Sequence, residues 1–166
     1  MGVGIIQKAV KWPILFVGRL KALLNTPNDI FLLIRIGFFI WALPRAMKKS
    51  DLPGFLERLR RAPRKTATDI ETGVAQVARL RSPWLRLPLL GKRNTCYTRA
   101  ITLFRYLEVP GELIRIHFGV EPAVTPGGHP RGHAWVSAGN KILEPPDPLV
   151  AGRVKEIYAF PEENRH

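Results

Sequence analysis

Cys96 is the one cysteine in a chain of 166 residues. As a thiolate it is also the strongest nucleophile the chain can offer near neutral pH. The types that activate a thiol follow it in sequence: an imidazole at His133, a carboxylate at Glu144 and a second at Asp147. In such a set the imidazole takes the thiol proton, and the carboxylate fixes the imidazole tautomer and stabilises the imidazolium. A single cysteine excludes an internal disulfide framework and a multi-cysteine zinc site, and it fits a reducing, cytoplasmic compartment. On its own, a lone cysteine is more often a small buried hydrophobe than a nucleophile. His117 and His129 compete with His133 for the role of base. The first is read as a surface residue in mid-strand, the second as part of a loop rich in glycine and proline. His166 carries no information, and the histidines form no compact metal-ligand cluster, so no metal or other cofactor is expected.

The elements around these residues decide whether they can meet. Asn94 or Thr95 is a natural N-cap for a helix over Thr95–Leu107. Cys96, Ala100, Leu103, Phe104 and Leu107 then fall on one stripe, with Cys96 in the first turn, where unpaired N–H groups favour a thiolate. Glu112–Val120 alternates as a strand, and 121–132 reads as a loop. His133–Ala138 and Lys141–Glu144 form a hairpin about the two-residue turn Gly139-Asn140. That turn sets Ala138 opposite Lys141 and Trp135 opposite Glu144. His133, Trp135 and Glu144 then share a face, Glu144 being the diagonal neighbour of His133. Asp147 has the wrong parity unless Pro145-Pro146 bends the strand. Trp135 would wall the site, or serve equally well as a core aromatic.

The N-terminal half is different in kind. Residues 1–93 hold 18 Lys+Arg and 5 Asp+Glu, whereas residues 94–166 hold 8 of each, so the whole excess of +13 lies in the first part. Residues 5–24 read as a basic amphipathic helix interrupted at Pro13. Asn28 or Asp29 can cap a helix from Ile30 to Met47. Its 14-residue apolar stretch is short for a bilayer span and is expected to be buried against the rest of the chain. A short basic helix over Phe55–Arg61, a helix over Thr68–Leu80 and a proline-punctuated connector from Pro83 to Gly91 follow. No run of about 18 uncharged apolar residues occurs, and the start lacks the marks of a secretory signal. The division expected is a basic extension at 1–27, a basic helical region at 28–93 and a core at 94–166, giving an α+β fold with helices preceding a small antiparallel sheet. The basic half implies an anionic partner or is simply a solvated surface. Its aromatics are not spaced as a stacking platform for single-stranded nucleic acid, so no specific nucleic acid is expected. An amphipathic anchor at the inner face of a membrane is the better version of a binding role.

Thr95-Cys96-Tyr97-Thr98-Arg99-Ala100, then His117-Phe118-Gly119-Val120, then Gly132-His133-Ala134-Trp135-Val136 resemble, in this order, the bacterial transglutaminase-like cysteine peptidases of lasso-peptide maturation. The resemblance covers about residues 28–145. It implies a transglutaminase-like core with a catalytic helix packed on the sheet. It maps the family's cysteine and histidine onto Cys96 and His133 and its acid best onto Glu144, with Asp147 as substitute. The family's acid is usually Asp. The activity implied is removal of a leader from a ribosomally made precursor peptide. The backbone N–H of Cys96 would serve as one oxyanion donor. No fused leader-recognition domain is visible in the first half, so the resemblance is to the split type, with a separate leader-binding protein and an ATP-dependent cyclase as partners. Transfer of the acyl group to an amine, deamidation on the same fold, and a non-catalytic role at a membrane surface remain alternatives.

Overall fold

The computed structural model describes residues 24, 26–64, 66–123, 129–144 and 152–162. The expected amphipathic helix at the N-terminus lies almost wholly outside the described residues, as does Asp147.

Helix α1 spans Pro27–Lys48 and starts three residues before the expected Ile30. Pro27 takes the first position, where its missing N–H costs nothing, and Asp29 accepts the backbone N–H of Thr26 at 3.1 Å. The Asp29 carboxylate is fully buried. It is held by Gln76 Nε2 at 2.7 Å and by the Arg79 guanidinium at 3.0 Å. Pro44 lies inside α1 and leaves the Ile40 carbonyl without its usual helical donor. Arg93 supplies one, at 3.0 Å. The expected burial of this helix holds for one face only. Leu33, Ile36, Ile40 and Leu43 are buried, whereas Phe31, Ile34, Phe38 and Trp41 are exposed. By length and composition α1 could cross a membrane, but its buried face is packed on the helices that follow.

Helix α2 (Leu52–Arg61) is capped by Asp51. Helix α3 (Ile70–Arg86) is capped by Asp69, which accepts the Thr72 N–H at 2.8 Å. It continues through Pro83, where the sequence suggested a connector. Packing of Leu80, Arg81 and Leu85 outweighs the one hydrogen bond that Pro83 cannot donate. A single turn, α4 (Pro88–Gly91), leads to α5 (Cys96–Tyr106), whose cap is Thr95, with its hydroxyl accepting the Thr98 N–H at 3.2 Å.

Four antiparallel strands complete the α+β fold: β1 (Ile114–Glu121), β2 (Arg131–Ala138), β3 (Lys141–Ile142) and β4 (Lys155–Phe160), in the order β3-β2-β1-β4. The hairpin register is the expected one, with Ala138 opposite Lys141. β3, however, keeps only two residues of the expected Lys141–Glu144, and β4 was not foreseen. Ile114, Ile116, Phe118, Ala134, Val136 and Ala138 form the sheet's inner face, against which α5 packs. One core joins them to Ile101, Leu103 and Phe104 of α5 and to Leu33, Ile36, Leu56, Val77 and Leu80 of the preceding helices.

Candidate active site

Cys96 takes the first position of α5, in the opening turn whose Thr98 N–H is capped by the Thr95 hydroxyl. The side chain is half-buried, and Sγ lies 3.8 Å from the carbonyl oxygen of Gly132. Gly132 directly precedes His133, so the thiol meets β2 one residue from the imidazole. Space is tight here: a Cβ on Gly132 would sit 2.1 Å from the Tyr97 hydroxyl. Burial, and after it the Cys96 charge, raises the titration of Tyr97, so its phenol stays protonated beside the thiol. Tyr97 was not singled out from sequence, although its place next to the nucleophile was visible there.

Strand alternation aims Gly132 at α5 and His133 at the opposite face of the sheet. On that face β1 pairs Gly119 with His133, which makes Glu121 a diagonal neighbour. Nε2 of His133 is shut off from solvent and makes no hydrogen bond. It faces Glu121 Oε2 at 3.5 Å, and Arg153 holds the other oxygen of Glu121 at 3.1 Å. The Glu121 side chain is 5% exposed. No hydrogen bond joins Cys96 to His133 among the described residues: alternation puts the imidazole on the face of β2 away from α5, so the expected thiol–imidazole pair is not formed in this structure.

Glu144 lies elsewhere. The backbone bends after β3, and the carboxylate forms a two-pronged pair with Arg81, at 2.6 and 3.1 Å. Arg81 is a buried cation of α3 that also donates to the Arg99 carbonyl of α5 at 3.0 Å. A guanidinium withdrawn from water draws the nearest carboxylate to itself, and Glu144 makes no ion pair with His133. Trp135 stacks flat on His117, with ring centroids 5.4 Å apart. His117 is buried, contrary to the surface reading. Its Nε2 meets Ser137 Oγ at 2.7 Å and its Nδ1 meets a Glu156 oxygen at 2.6 Å. His129 is exposed. A depression of about 770 Å³ beside His117, Arg115, Asn140, Glu156 and Tyr158 is lined by none of Cys96, His133, Glu121 or Glu144. No group of three or more potential metal ligands occurs among the described residues.

A thiol at a helix N-terminus, against the strand that carries an imidazole with a carboxylate beside it, brings into one region the residue types that cysteine acyl-transfer chemistry uses. A search of curated proteins and a search of solved structures each gave no significant match. The family model described as the transglutaminase-like superfamily matches residues 30–158, which takes in helices α1 to α5, Cys96, His133 and most of the sheet. With well over half of its length matched, the chain belongs to the transglutaminase-like superfamily.

Proposed function

We propose that this protein is a cysteine peptidase in which Cys96 attacks a peptide carbonyl and His133 acts as base and then as acid to the departing amine. Glu121 would orient His133 through Nε2 in place of Glu144, which is committed to Arg81. The backbone N–H of Cys96 would supply one oxyanion donor. The observation that carries this reading is Sγ lying 3.8 Å from the carbonyl of Gly132, the residue before His133, whose Nε2 is buried against a carboxylate; the mechanism needs the ring to turn toward the thiol when substrate binds. The substrate proposed is the leader junction of a lasso-type precursor peptide. It would be presented by a separate leader-binding protein, with an ATP-dependent cyclase acting on the new N-terminus. This rests on the resemblance of the three motifs around Cys96, Gly119 and His133.

Two measurements test it. Iodoacetamide near neutral pH should alkylate Cys96 about tenfold or more faster in the wild type than in His133→Ala. Mass spectrometry should find precursor cleavage by the wild type and none by a folded Cys96→Ala. Equal alkylation rates, or cleavage by the Cys96→Ala protein, would overturn the proposal. Adding a primary amine separates peptidase from acyltransferase, because only transfer places the amine on the product.

A further inference from the structure

We propose that the outward face of α1 docks on an anionic lipid bilayer, the helix lying in the plane of the membrane surface. Phe31, Ile34, Phe38 and Trp41 are spaced three, four and three residues apart, which sets them along one side of the helix. They are 70%, 57%, 67% and 47% exposed. A contiguous stripe of large apolar side chains in water marks a surface that meets something apolar.

The opposite side of α1 decides the orientation. Leu33, Ile36, Ile40 and Leu43 are built into the core, and Asp29 is pinned to α3 by Gln76 and Arg79. The helix cannot leave that core to span a bilayer. It can only lower its free face into the interface between headgroups and acyl chains.

Charge selects the partner. Asp29 is the one carboxylate in α1 and it is fully buried. The exposed part of the helix therefore presents cations alone: Arg35, Arg45 and Lys48, with Lys49 following. The Arg45 guanidinium lies 4.8 Å from the centre of the Trp41 ring. An aromatic with a cation over it suits the headgroup level, where the ring is half in hydrocarbon and the charge meets phosphate. A second copy of this chain would set cations against cations. An anionic bilayer answers both the apolar stripe and the positive rim, each basic residue near such a surface strengthening binding about fivefold.

The experiment is sedimentation of the full chain with vesicles of phosphatidylcholine alone and of phosphatidylcholine with about 30% phosphatidylglycerol, at about 0.1 and 0.5 M salt. The wild type is expected to bind the anionic vesicles at low salt, to bind neutral vesicles at least tenfold more weakly, and to be released by high salt. Phe31→Glu/Phe38→Glu should cut binding about 100-fold with an unchanged circular dichroism spectrum, since both side chains point into water. Arg45→Gln/Lys48→Gln keeps the stripe and should cut it about 20-fold. Failure to bind anionic vesicles, equal binding to both kinds, or undiminished binding by the Phe31/Phe38 variant overturns the proposal. A wild-type dimer that this variant turns into a monomer would also overturn it by assigning the face to a protein. Cys96 alkylation is untouched by all of these outcomes, so the result stands apart from the catalytic reading.

Discussion

A carboxylate buried beside an imidazole holds the ring in one tautomer and supplies the countercharge when the ring takes up a proton. In the proposed mechanism Glu121, 3.5 Å from His133 Nε2, would do both, and Arg153 keeps its second oxygen occupied. Glu121→Gln should lower turnover of a precursor peptide by about 10-fold, the loss rising toward 10⁴-fold if the tautomer is lost entirely. Glu121→Asp should restore part of it and shift the pH profile. Glu144→Gln should behave differently. It strands the Arg81 cation, whose side chain is 7% exposed, and should cost about 2 kcal/mol in a denaturant melt, less than a fully buried pair because Glu144 is 26% exposed. Cys96 reactivity should survive. If Glu144→Gln stops turnover without a stability loss, the acid is Glu144 and the Glu121 assignment falls. Gly132→Ala forces a methyl onto the Tyr97 hydroxyl and should depress Cys96 reactivity together with the melting temperature.

At the scale of elements, α1 and α3 meet tightly where Gly37 faces Trp84. A Cβ on Gly37 would lie 2.3 Å from the Trp84 ring, and the Trp84 indole N–H donates to the Leu33 carbonyl at 2.8 Å. Gly37→Ala would push the ring out or part the helices, and should destabilise by about 1–3 kcal/mol in chemical unfolding, against the gain a helical alanine normally brings. Elements of this kind differ in how readily they are read. The cap at Thr95, the apolar stripe of α5 and the β2–β3 register were legible because each is set by local chemistry, the last by a two-residue turn that admits one pairing. The neighbour of His133 was not. It depends on the β1–β2 register, and those strands are joined by residues 122–130, a connection too long to fix which residues face each other. The same distance hid β4, whose partner lies some forty residues upstream. The expected pairing holds at Ala138–Lys141 and Ser137–Ile142 but does not reach Glu144, because the chain leaves the strand after Ile142 and the carboxylate meets Arg81.

At the scale of the molecule, the helices before residue 94 and the sheet after it share one core. Residues 94–166 expressed alone would expose the apolar faces of Leu103, Phe104 and Leu107. They should lack the cooperative melt and dispersed amide spectrum of the whole chain. Burial raises the titration of all three tyrosines, Tyr97, Tyr106 and Tyr158, above the ordinary 10.0. The folded state thus holds the phenolic protons more tightly than the unfolded chain does. The stability they contribute is complete below pH 10 and is lost as pH rises beyond it. The denaturant midpoint should fall as the pH rises from about 10 to about 11, with phenolate absorbance appearing at higher pH in the folded chain than in the unfolded one. A midpoint unchanged over that range would contradict the burial of Tyr106, whose hydroxyl donates to the Arg35 carbonyl at 3.0 Å.

The strand order β3-β2-β1-β4 also sets a timetable during synthesis. β1 lies inside the sheet, yet it takes one neighbour from residues 155–160. A ribosome making this chain releases helices, thiol and imidazole long before that strand. Arg153, which braces Glu121, arrives in the same late stretch. Until then the β4 side of β1 stays open and Glu121 stands without its cation. Closure of the sheet and of the ion pair at Glu121 therefore waits on synthesis through residue 160, and a nascent chain stopped before Arg153 would hold the Glu121 carboxylate without its cation.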